Sequence, residues 1–231
     1  MPGLNRTASR LLSCECMRVG ALAFTITLLS AALAGAQTSV GGAVGISSQA
    51  AGDNDLPYLG RPFGGTALGV LATIDHGWTR HLTVGGEVST ASAITGEQSQ
   101  RAAGATRAFE SRHVDTVFSA TLKFVVPIGG RVRAAAVGGG GGAYRRTARE
   151  GTTASLLPPA TRSPFSETVS NFVLAYSIGA DLTVTLTDRL GVLVAGRLHR
   201  LRDDDRLDDG VVARGVSSTI YRAGVGAVWR F

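Results

Sequence analysis

The stretch VSSTIYRAGVGAVWRF, Val216 to Phe231, decides how the rest of the chain is read. Taken at a period of two, one face carries Ser217, Thr219, Tyr221, Ala223, Val225, Ala227, Trp229 and Phe231. The other carries Ser218, Ile220, Arg222, Gly224, Gly226, Val228 and Arg230. That is a β-strand with a mostly apolar, aromatic-tipped face and a face of small or charged residues. In a strand tilted about 45°, each residue climbs roughly 2.3 Å, so Tyr221 and Trp229 lie roughly 19 Å apart along a membrane normal, close to the apolar height a bilayer offers. Tyr221 and Trp229 are therefore read as girdle aromatics at its two boundaries.

The same alternation recurs upstream. Strands are predicted at Val40 to Ser48, Gly65 to His76, His81 to Ile94, Arg112 to Val126, Arg131 to Arg145, Val169 to Leu186 and Leu190 to Leu201, making eight with the one above. The sixth is the cleanest: Phe172, Leu174, Tyr176, Ile178, Ala180, Leu182 and Val184 alternate with Asn171, Ala175, Ser177, Gly179, Asp181 and Thr183. When the apolar alternation fixes each face, Glu87, Asp115, Lys123, Arg131, Arg133, Arg145, Asp181, Arg197, Arg222 and Arg230 all fall on the opposite face. None is expected on the apolar one. A soluble sandwich hides its apolar face and wets its polar one; a barrel in lipid turns apolar residues outward and polar ones inward.

Connection lengths alternate too. The second, fourth and sixth strands end in tight turns such as Gly77–Arg80, Pro127–Gly130 and Thr187–Arg189. Long loops are expected at Gln49–Gly64, Thr95–Ser111, Arg146–Thr168 and Arg202–Gly215. Short turns on one side and long loops on the other mark an outer-membrane barrel; several long structureless loops would be out of place in a soluble domain.

Here a resemblance can be stated. A last strand ending on an aromatic residue, together with the hairpin from Asp181 to Val192, resembles the small eight-stranded OmpA/OmpX-type barrels of bacterial outer membranes. The likeness spans the whole mature chain, with no peptidoglycan-binding domain after Phe231. It implies an all-β fold: an eight-stranded antiparallel up-and-down transmembrane β-barrel preceded by a cleaved signal peptide. It further implies outer-membrane lipids and lipopolysaccharide as surroundings, and Phe231 as part of the segment the barrel-assembly machinery reads. An even strand count puts both barrel termini on the periplasmic side of a Gram-negative-type outer membrane.

The composition excludes other classes. The net charge of +6 is carried almost wholly by Arg, with Lys123 the only lysine. These residues are scattered, with no basic cluster or aromatic platform, so nucleic acid is not expected. Cys14 and Cys16 are the only cysteines. Both precede the uncharged run from Val19 to Ala36, whose apolar core Ala21 to Leu33 ends in Ala34-Gly35-Ala36. That is a secretory signal, residues 1–36, with cleavage between Ala36 and Gln37 and a barrel domain over 37–231. Met17-Arg18 opens a compact signal by itself, which makes Met17 a second candidate start. The mature chain then has no thiol for a disulfide, a nucleophile or a metal.

An eight-stranded barrel is just wide enough for side chains to fill. The inward charges Glu87, Asp115, Asp181, Arg197 and Arg222 are expected to form an interior ion-pair network, with Arg197 bonded to Glu87 or Asp181. Three functions were weighed on that basis. The first is a non-enzymatic structural or surface-interaction barrel. The second is a small or gated pore. The third is a membrane enzyme acting on lipid A, for which His113 with Ser111 or Ser119, and His199, are the available groups. No catalytic, metal or cofactor residue is assigned. The run Gly138 to Gly142 lacks a phosphate-loop ending and reads as barrel packing, with Tyr144 covering it. The acidic segment Asp203 to Asp209 misses an EF-hand order because Leu207 occupies a ligand position, leaving Ca²⁺ binding open. Arg101, Arg107 and Arg112 are positioned to meet lipopolysaccharide phosphates.

Overall fold

The computed structural model describes residues 38–49, 64–102, 105–155, 161–202, 206–208, 211–213 and 218–231. The expected signal peptide, its Ala36–Gln37 cleavage site and the Met17 start lie outside these residues. So does the loop at 50–63 and most of the acidic segment.

Backbone pairing explains the architecture. The strands are β1 (Thr38–Gln49), β2 (Gly65–Gly77), β3 (Leu82–Ala91), β4 (Ile94–Ala102), β5 (Ala105–Pro127), β6 (Val132–Ser155), β7 (Arg162–Thr185), β8 (Leu190–Arg202), β9 (Arg206–Asp208), β10 (Val211–Ala213) and β11 (Ser218–Arg230). Spatial order runs β3-β2-β1-β11-β8-β7-β6-β5, and β5 pairs back onto β3. Every neighbour is antiparallel, so the ring closes with eight staves and exposes no edge along the closed part.

β3 and β4 form one stave with a defect. β3 pairs Thr90 with Thr116, while β4 pairs Ile94 with His113. Four steps on one strand oppose three on the other, which is a β-bulge over residues 91–93. The extra residue switches the facing of the stave, and Ile94 turns inward to become buried.

Polarity is inverted relative to a water-soluble fold. Leu68, Ile178 and Val225 are 70%, 61% and 57% exposed, whereas Glu87, Arg197 and Asp181 are 3%, 4% and 6% exposed. In water such an outer face would be a large apolar patch; against acyl chains it is the required surface. Among the girdle residues, Trp229 pairs with Leu190 and Val40 near the turn end, and Tyr221 lies one pair beyond Arg222, toward the other end. Both are exposed on the outer face.

Three four-residue turns, at 78–81, 128–131 and 186–189, close one end in the same way. The amides of Trp78, Ile128 and Leu186 donate to the carbonyls of Leu82, Val132 and Leu190 at 2.9, 3.0 and 2.9 Å. The first described residue meets the last at this end, where the Phe231 amide donates to the Thr38 carbonyl at 3.0 Å.

At the other end the expected loops need correction. Thr95–Ser111 and Arg146–Thr168 are mostly strand. The ladders continue to Ala102 opposite Ala105, Ala105 opposite Ser155, and Ala154 opposite Arg162. Beyond the lipid band the outer face needs no apolar residues, so the alternation fades while backbone pairing persists. The expected loop Arg202–Gly215 likewise holds the small β9–β10 hairpin. The apolar face also carries charge at this end: Arg112 and Arg200 point outward and are exposed, with Arg200 opposite Tyr176 and Thr219. Phe172 lies over the last glycine of the run, where a Cβ on Gly142 would meet its ring.

Candidate functional site: the sealed interior

Strand parity sends the polar half of each stave to the axis, and their heights bring them together in tiers. Nearest the turns, Lys123 on β5 donates from Nζ to Asp75 Oδ2 on β2 at 2.8 Å and to Asp181 Oδ2 on β7 at 2.9 Å. Arg197 on β8 completes the tier. Its Nη1 and Nη2 donate to Asp181 Oδ1 and Oδ2 at 2.6 and 3.2 Å, a forked pair, and its Nε donates to Glu87 Oε2 at 2.7 Å. Arg197 therefore engages both Glu87 and Asp181. Its Nη1 also donates to the carbonyls of Gly196 and Ala180. Gly179, directly opposite in register, makes room: a Cβ there would lie 2.8 Å from Arg197 Cδ and 2.1 Å from the Gly196 carbonyl oxygen.

The second tier is held by hydroxyls. Arg222 donates to Ser47 Oγ at 3.2 Å, to Ser89 Oγ and to the Asp115 carbonyl at 3.0 Å. His199, fully buried, lies between Ser177 Oγ at 2.8 Å and Ser89 Oγ at 3.4 Å, and Ser177 bonds Ser119 at 3.0 Å. A third cluster caps this. Asp115 accepts from Arg145 Nε at 3.2 Å and meets His113 Nε2 at 2.8 Å; His113 Nδ1 meets Thr147 Oγ1 at 2.8 Å, and Arg145 reaches Ser218.

Side chains leave little open space on the axis. A cavity of about 20 Å³ adjoins Arg197 and Arg222, one of about 10 Å³ adjoins His113 and Asp115, and one of about 110 Å³ opens at the turn end. Apolar residues pack among the polar tiers: Leu71, Leu193, Ala43 and Ala195 in one cluster, and Val117, Val173, Leu201 and Ile220 within another. Four buried carboxylates (Asp75, Glu87, Asp115, Asp181) face four cations (Lys123, Arg145, Arg197, Arg222), so the bonded tiers hold equal numbers of opposite charges. Burying any one of these charges alone would be costly.

The interior candidates thus divide. Glu87, Asp181 and Arg197 share one tier, Asp115 sits in the capping cluster, and Arg222 in the tier between them joins Asp115 through its carbonyl and not by an ion pair. Asp75, Lys123, Arg145 and His113 complete the network. Their inward facing was readable, but their height relative to one another was not. Of the hydroxyls considered beside His113, Ser119 bonds Ser177, and Ser111 is buried with no hydrogen-bond partner among the described residues. The hydroxyl that His113 meets is Thr147. No cluster of three or more His, Cys, Asp or Glu suited to a metal occurs among the described residues.

No family model and no curated protein matches the chain. Solved structures share its path at low identity. The attachment invasion locus protein Ail of Yersinia pestis is 14% identical, over 84% of this chain and 99% of its own, with a TM-score of 0.42. Neisserial surface protein A is 7% identical, over 84% and 97%, with a TM-score of 0.45. The outer membrane protease OmpT of Escherichia coli is 9% identical, over 84% and 97%, with a TM-score of 0.45. The assignment rests on the chain itself: its closed ring, its up-and-down strand order and its inverted polarity give it the fold of the eight-stranded outer-membrane β-barrels.

Proposed function

We propose that this chain is an outer-membrane barrel with a structural or surface-interaction role, anchored by its wall and acting through its hairpin end. The observation that carries this is the filled axis. Three bonded polar tiers occupy the lumen, and the cavities beside Arg197 and Arg222 and beside His113 and Asp115 are only about 20 and 10 Å³. Beyond the wall, β4 to β7 continue as a four-stranded extension, which gives the outside a structured surface. In this reading the turn end faces the periplasm and the extension faces outward. Arg112, Arg146 and Arg200 on the outer face at the hairpin end, with Tyr144, Phe172 and Tyr176 nearby in register, then sit at the level of lipopolysaccharide phosphates. Phe231 directly follows β11, the strand that the assembly machinery would read.

The test has two parts. The outer-membrane fraction should show heat-modifiable migration on a detergent gel, and the purified barrel should be silent in planar bilayers. Steady large conductance would favour the pore. Cysteine placed at Thr152 in the extension should label in intact cells and cysteine at Arg131 in a turn should not; the reverse pattern would invert the orientation.

A second reading draws on one observation. Asp115, His113 and Thr147 form an acid–base–hydroxyl relay at the hairpin end, the arrangement a lipid-modifying enzyme would need. Against it, Asp115 is shared with Arg145, His113 is buried, and the adjoining cavity is about 10 Å³. Mass spectra of lipid A that are identical in expressing and non-expressing cells would dismiss it.

A further inference from the structure

The bonded tiers hold four carboxylates and four cations, yet two more arginines turn inward at the turn end. Arg133 on β6 and Arg230 on β11 both line the cavity of about 110 Å³, whose floor is Lys123, Asp75 and Asp181. Arg230 Nη1 donates to Thr185 Oγ1 at 3.1 Å, and neither arginine has a carboxylate partner among the described residues. Lys123 spends two of its three N–H donors on Asp75 and Asp181, leaving one. The floor also carries the carboxylates of Asp75 and Asp181, whose Oδ2 atoms are both bonded to Lys123. Arg133 is exposed and Arg230 half-buried at this mouth, so both guanidiniums are open to an anion that enters the cavity. By volume the cavity admits several water-sized groups.

We propose that the turn-end mouth is a binding site for a phosphate-class oxyanion, clamped by Arg133 and Arg230 over the Lys123 floor. Guanidinium groups match the oxygen geometry of phosphate. The anion has two possible sources, free phosphate or the phosphate of a phospholipid headgroup in the leaflet at this end. The inference needs the barrel fold but not its orientation in the membrane, since the detergent arm below is blind to sidedness.

The experiment uses the refolded barrel in zwitterionic detergent, with inorganic phosphate replacing chloride at constant ionic strength. Expected is a saturable rise in the thermal midpoint, because a ligand of the folded state stabilises it. Arg133→Gln or Arg230→Gln should weaken the binding about tenfold, as expected for loss of a charged hydrogen bond. The double substitution should abolish it, and the turn control Arg189→Gln should leave it unchanged. NMR of arginine Nε–H groups in the unsubstituted protein reads the same site without any variant, and two signals should move far more than the rest. In vesicles of phosphatidylcholine alone the phosphate response should persist. Its loss when phosphatidylglycerol is added would name the headgroup as the source, and its survival would name free phosphate. A midpoint no higher in phosphate than in chloride, a response retained by the double variant, or equal movement of all arginine signals would overturn the site.

Discussion

The barrel wall and the hairpin extension share the same ladders but hold together differently. The β5–β6 pairing runs unbroken from Ala105 opposite Ser155 to Pro127 opposite Arg133. Along its lower half the outer face is apolar, with Phe118, Leu122 and Phe124 exposed, and the inner face is locked by Lys123, Ser119 and Asp115. Along its upper half, Thr106, Ala108 and Glu110 alternate with Arg107, Phe109 and Ser111. Among the described residues the extension does not close: β4 pairs only with β5, and β7 above Leu174 pairs only with β6. The barrel derives its order from a ring that has no edge and a lumen whose buried charges are held by ion pairs and hydrogen bonds across the axis. The extension derives its order from local contacts. A lipid boundary on such a stave is therefore marked by where the outer apolar residues stop, not by where hydrogen bonding stops.

The largest expected effect breaks the lumen. Arg197→Ala leaves Glu87 and Asp181 buried without their guanidinium, a loss of about 3–5 kcal/mol. Urea unfolding followed by the gel shift of the folded form should show it as a lower midpoint at unchanged slope. Replacing the Arg197–Glu87 pair by Met and Gln together should recover a large part, because removing both charges avoids the stranded one. If Arg197→Ala unfolded at the same urea concentration as the parent, the ionic tier would not be what holds the barrel, and the contrast with the extension would lose its basis.

A second effect separates two glycines one residue apart. A Cβ on Gly141 would lie 2.0 Å from the Phe118 carbonyl oxygen, an atom of the neighbouring backbone that cannot swing away. A Cβ on Gly140 would meet nothing within 4 Å. Gly141→Ala should cost about 1–3 kcal/mol as an overpacking change, while Gly140→Ala should be near neutral in the same urea assay. Equal midpoints for the two would show that the stave bends to accept either.

How far the molecule was legible follows from the same contrast. Period-two alternation located all eight staves and the inward facing of Glu87, Asp181, Arg197 and Arg222, because lipid on one side and ions on the other enforce a sharp pattern. It failed at 95–102, 105–111, 146–155 and 162–168, where no lipid compels apolar residues on the outer face, although Phe109 and Ser111 are buried on the inner one. Asp75 and Lys123 were on the polar face in plain view, but their place in the tier depends on the stagger between β2, β5 and β7, which facing alone does not encode. The bulge at 91–93 had no stronger signal than two alanines and a serine. Arg200 was an overlooked exception on the apolar face, readable once the outer boundary is known from Tyr176 and Tyr221.

The smallest effect belongs to the extension. Phe109 and Phe165 meet edge-on at 6.0 Å, flanking Gly151 in register, with Arg149 over Phe109 and Arg107 over Phe165 at 6.0 and 5.6 Å from the ring centres. An aromatic pair of this kind is worth about 0.5–1.5 kcal/mol beyond the area it buries. Because the extension does not close among the described residues, that loss should stay local. Phe109→Ala should speed hydrogen exchange of the amides at 105–113 and 146–155 severalfold and leave the urea midpoint of the barrel where it was. Were the midpoint to fall with it, wall and extension would be one cooperative unit. The hairpins would then have to count as part of what stabilises the ring, and not as a surface that the ring merely carries.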